Sequence, residues 1–103
     1  MSGYILNLNI NVDINELLNQ VERLIGTTIY RSGITSSSPK GYDKFVSVMN
    51  GQQVISLYFH PTCKHSATAN GKTKAKSVAN PGQWAVAVAM RGIFGNATNY
   101  DTL

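Results

Sequence analysis

The chain has 103 residues, 43% of them apolar and only 14% charged, with nine Lys+Arg against five Asp+Glu. That balance excludes a disordered chain, and no stretch approaches the roughly 18 consecutive apolar residues of a membrane-spanning helix. A lone cysteine excludes an internal disulfide framework, and the length sets the expectation of one domain over residues 1–103.

The first element is a strand in residues 4–12. Leu6, Leu8, Ile10 and Val12 alternate with Asn7, Asn9 and Asn11, the period of a half-buried strand. Asp13 with Glu16 three residues later forms a capping-box signature. Ile14, Leu17, Leu18, Val21, Leu24 and Ile25 then fall on one face of a helix of about three turns, which Gly26 ends. Thr27–Arg31, β-branched and aromatic, predicts a short strand. Residues 32–41 have loop chemistry. Tyr42–Met49 and Gln53–His60 flank Asn50-Gly51, which predicts a hairpin because both turn residues accept positive φ. Residues 61–82, polar and lysine-bearing, read as a second long loop. Trp84–Met90 reads as a strand from its large–small alternation, and residues 92–103 as an irregular tail.

These elements predict an α+β fold, a mostly antiparallel sheet in β-α-β-β-β-β order with one amphipathic helix on one face. Ile55, Leu57, Phe59, Trp84, Val86 and Val88 supply the helix-covered face. The opposite face carries Ser56, Tyr58 and His60 beside Ala85, Ala87 and Ala89. Such a small, polar surface lets another backbone come close. It suits a solvated face, a homodimer contact, or a platform on which Tyr58 and His60 touch a ligand.

The charges are lopsided. Between Asp43 and Asp101 there is no carboxylate, while Lys44, Lys64, Lys72, Lys74, Lys76 and Arg91 lie in that interval. Lysines at 72, 74 and 76 amid Gly, Ser, Thr and Asn resemble a mobile cationic arm that neutralises phosphates without reading sequence. The expected function is therefore non-catalytic binding of an anionic partner, nucleic acid or nucleotide phosphates, through those six cations. The alternative is a modulator or inhibitor docking on an acidic surface of another protein, nucleic-acid-handling proteins being among the candidates.

His60, Cys63 and His65 are zinc-type ligands within six residues, and equally a nucleophile with its base. Their spacing is not that of a standard metal site, and no oriented third group accompanies them, so neither an enzyme, a metal nor a cofactor is expected. The start Met1-Ser2-Gly3-Tyr4 has neither the basic nor the apolar region of a secretory leader. With one unpaired cysteine, this points to the cytoplasm, and the lack of any span-length apolar stretch predicts no membrane contact.

Overall fold

Residues 3–103 are described in a computed structural model. In chain order they form β1 (Gly3–Leu6), α1 (Ile14–Ile25), β2 (Ile34–Ser37), β3 (Lys44–Met49), β4 (Gln53–Phe59), β5 (His65–Asn70), β6 (Lys74–Ala79), β7 (Trp84–Met90) and β8 (Ala97–Thr102). One helix with predominantly antiparallel sheet is the α+β class expected, but the order differs from β-α-β-β-β-β. The strands divide into a five-stranded sheet, β1-β7-β4-β3-β2, and a three-stranded sheet, β6-β5-β8.

The helix forms for local reasons. Asp13 Oδ2 accepts from the Glu16 N–H at 3.3 Å, and Gly26 closes the C-terminus at φ 72°, its N–H donating to Glu22 O at 2.8 Å. The reciprocal half of a capping box is not used, because the Glu16 carboxylate accepts from Gln20 Nε2 instead. Leu17, Leu18 and Val21 are buried against Val46, Val48, Ile55, Leu57, Phe59, Trp84 and Val86 of the larger sheet. Leu6, Leu8, Ile10 and Val12 pack on the same cluster. The chain leaves the ladder after Leu6, so the alternation over 4–12 marks burial rather than a strand of that length.

The hairpin at Asn50-Gly51 is present, with Met49 opposite Val54, but neither turn residue takes positive φ. Instead Asn50 Oδ1 accepts from the backbone N–H groups of Gln52 and Gln53 at 2.9 and 2.8 Å, a side-chain turn mimic. The same pair explains why Thr27–Arg31 is not the strand expected. Its backbone bonds are taken by side chains: Gln53 Nε2 donates to Thr28 O (2.7 Å), the Tyr30 N–H to Gln53 Oε1, and the Ile29 N–H to Glu22 Oε2. The strand of this region lies further on, at Ile34–Ser37, inside the expected loop 32–41.

The largest corrections fall on the two segments read as irregular. Residues 61–82 contain the hairpin β5–β6, and 92–103 contain β8. The first was masked by side-chain size. The inward positions of β5 and β6 are Ala67, Ala69, Ala75, Ser77 and Ala79, too small to give a strong apolar signal. These strands lie over the Ser56/Tyr58 and Ala85/Ala87/Ala89 face of the larger sheet. That face is therefore neither solvated, nor a homodimer surface, nor a ligand platform, and Tyr58 and His60 are 0% and 1% exposed. Another backbone does approach closely, and it is the chain's own. Three buried serines stitch the layers. Ser77 Oγ donates to Tyr4 O (2.5 Å), Ser56 Oγ donates to Asn99 O (2.8 Å), and Ser47 Oγ bonds Thr98 Oγ1 (2.7 Å).

Candidate functional site

The six cations do not converge. Lys44 and Lys64 stand near one end of the sandwich, Lys44 opposite Phe59 and Lys64 just before β5. Lys72 sits in the β5–β6 turn, about 17 Å of strand from Lys64. Lys74 and Lys76 are not on a mobile arm. They are exposed on β6, an edge strand, with Ala75, Ser77 and Ala79 turned inward between them. Lysines on an edge strand discourage pairing with another chain. Lys72 and Arg91 are the two that the fold brings together, lining one groove of about 540 Å³ with Gly71, Gly92, Ile93 and Phe94.

His60, Cys63 and His65 lie at the opposite end. His60 Nδ1 accepts the backbone N–H groups of Thr62 and Cys63 at 3.2 and 3.0 Å. His65, fully buried, faces Cys63 O with Nδ1 (2.9 Å) and Gln83 O with Nε2 (2.8 Å). These imidazoles organise the turn into β5, and Cys63 itself is exposed. Among the described residues no group of three or more His, Cys, Asp or Glu side chains could hold a metal ion.

Behind the histidines is an aromatic cluster that links the two sheets. Tyr58 stacks with Tyr100 (centroids 4.7 Å apart), lies edge-on to His65 (5.5 Å), and its hydroxyl donates to Asp43 Oδ2 at 2.5 Å. Burial pushes Asp43 up. The Tyr58 hydroxyl, the Lys40 N–H, its own backbone N–H and the nearby His60 outweigh that and hold the carboxyl below its ordinary range. Burial, then the bond to Asp43, raises the Tyr58 phenol well above its ordinary value, so it stays a donor. Burial, followed by Lys40 and His65, lowers His60, with Asp43 opposing. The arrangement is a structural clasp, with each buried side-chain nitrogen and oxygen among the described residues partnered.

Sequence reasoning missed the segment after β7. Ile93 and Phe94 are 98% and 85% exposed and Met90 is 68% exposed. The loop that carries them is closed by Asn96, whose Oδ1 accepts from the Gly92 N–H (2.7 Å) and whose Nδ2 donates to Gly92 O (3.1 Å). The available signal was two large apolar residues bracketed by Gly92 and Gly95, in a stretch with nothing periodic to bury them.

A family model described as Bacteriocin (Lactococcin_972) matches residues 44–100, from the start of β3 into β8. No curated protein and no solved structure shows significant similarity to the chain. The match overturns the expected nucleic-acid or nucleotide binder, the alternative modulator of another protein, and the cytoplasmic location, since a bacteriocin acts outside the cell that makes it. The error has a physical source. Positive charge reports attraction to anions in general, not to nucleic acid, and one unpaired cysteine is as compatible with an exported chain as with a cytosolic one. The matched stretch exceeds half of the 103 residues, and the chain belongs to the lactococcin 972 family of bacteriocins.

Proposed function

We propose that this protein is a secreted bacteriocin that acts on other bacteria by binding their surface, without covalent chemistry of its own. The observation that carries this reading is the family match over residues 44–100. Within those residues lie six Lys and Arg and no Asp or Glu, so the matched part is attracted to an anionic envelope. The ring nitrogens nearest Cys63 support the non-catalytic part. His60 Nδ1 is occupied by the backbone N–H groups of Thr62 and Cys63, and His65 faces two carbonyl oxygens, so neither is poised to activate the thiol.

Purified protein spotted on lawns of a panel of indicator bacteria should clear growth, and the same sample irreversibly unfolded should not. Absence of inhibition across the panel at high micromolar concentration, by protein shown to be folded by circular dichroism, would refute the proposal.

A further inference from the structure

We propose that the 91–96 loop, with Ile93 and Phe94 at its tip and Lys72 and Arg91 at its base, is the element that docks on an anionic phospholipid surface. The proposal deepens the reading above, on which it rests for its choice of an anionic bacterial envelope as partner.

An exposed apolar patch on a water-soluble surface calls for an occupant, and Ile93, Phe94 and Met90 are the three most exposed large apolar side chains among the described residues. The loop is held out rather than left loose. Asn96 closes it on Gly92, the Lys72 N–H donates to Met90 O (2.8 Å), and the Arg91 N–H to Gln52 O (2.9 Å). Arg91 Nη1 adds a bond to Asn50 O (3.0 Å). A Cβ on Gly92 would lie 3.1 Å from backbone atoms of Gly71 and Lys72, so the two turns sit flush and present one surface.

Charge selects the occupant. Lys72 and Arg91 line the groove beneath the tip. Asp101 pairs with Ser66 towards the other end of β5, Asp43 is buried beside Tyr58, and Glu22 is bonded to Arg31 at 3.4 Å. An apolar tip collared by cations matches the boundary between acyl chains and anionic headgroups. Interfacial docking of this kind needs no membrane-spanning segment, which is why the expectation of no membrane contact, drawn from hydropathy, does not bear on it.

The test uses the full chain with vesicles of phosphatidylcholine alone or with 30% phosphatidylglycerol, read by co-sedimentation. Binding should require phosphatidylglycerol, weaken as the Debye length falls from about 8 Å at 0.15 M salt to about 3 Å at 1 M, and fall about tenfold or more in the Ile93→Ser/Phe94→Ser variant. Lys72→Gln should weaken it less. A Phe94→Trp variant gives a second readout, since Trp84 is fully buried and a blue shift on vesicle addition then reports the tip. No wild-type binding, binding equal on neutral vesicles, or binding indifferent to the tip variant would each overturn the proposal. So would a dimer in sedimentation that the tip variant dissociates, which would make a second copy the occupant. Growth inhibition by the same samples separates the two readings. Inhibition without vesicle binding removes the docking and leaves the bacteriocin reading, and vesicle binding without inhibition does the reverse.

Discussion

Replacing Tyr58 by Phe removes one oxygen from the clasp between the sheets and leaves the ring in contact with Tyr100, Phe45 and His65. The lost bond, 2.5 Å long, is donated to a carboxylate that is 2% exposed. Hydrogen bonds to charged groups contribute about 1.5–3 kcal/mol. Asp43 keeps the Lys40 N–H at 2.9 Å, so a cost of about 2 kcal/mol at pH 7 is expected, or roughly a 10 °C fall in Tm for a domain of this size. The pH dependence is the sharper test. Asp43 is held below the unfolded value of about 3.9, so its contribution is fully present above about pH 4 and is lost as pH falls through the folded value. In the variant, burial is no longer opposed by the phenol. The Asp43 pKa rises towards the unfolded value, so the acid-linked loss of stability still begins near pH 4 but is smaller in the variant and is complete at a higher pH. Once pH has fallen below the folded value in both proteins, the difference should shrink to about 1 kcal/mol or less, that of a neutral bond. Urea unfolding at pH 7, 4 and 2, with unchanged m-value, measures this. A loss under about 0.5 kcal/mol at pH 7, or one that does not diminish as pH falls, would refute the assignment of an ionised Asp43 to this bond.

Three other outcomes follow from the same geometry. His60, lowered mainly by burial, contributes no proton-linked loss above the unfolded value of about 6.5. Stability should fall as pH drops from there towards the folded value, and His60→Asn, which keeps an acceptor near Thr62 and Cys63, should flatten that slope in urea midpoints between pH 7.5 and 5. Ala87→Leu, fully buried opposite the second sheet, should cost about 1–3 kcal/mol by overpacking, and a wild-type urea midpoint would show that the layers are not in close contact there. Cys63→Ser, with the thiol exposed, should change stability by no more than about 0.5 kcal/mol and leave growth inhibition intact, whereas loss of inhibition by a folded variant would point to chemistry at the thiol.

Local signals were legible where local physics decides. Asp13 and Gly26 bound the helix because a cap needs only its neighbours, and Asn50 marks its turn, although through its side chain rather than a positive φ. The apolar stripe of Ile55, Leu57, Trp84 and Val86 likewise announced the face beneath the helix. The candidate site was not legible in this way. Lys72 and Arg91 are separated by β6 and β7 in the chain and meet only because the β5–β6 turn lies against the end of β7, through Gly71 and Gly92.

The sequence by itself determined one helix, a central hairpin, two unlike sheet faces and a cation-rich stretch free of carboxylates. The tertiary structure decided what covers the small-residue face. Alanine and serine permit close approach without naming the backbone that approaches, and here residues 65–79 and 97–102 fold over to fill it. It also decided that Thr27–Arg31 bonds to Gln53 and Glu22 rather than to a strand, because a side chain can supply the partners a ladder would. Finally it left Ile93 and Phe94 outside, since burial of an apolar pair depends on a cover that arrives from distant parts of the chain, and none of the described residues supplies one at that end of the sandwich.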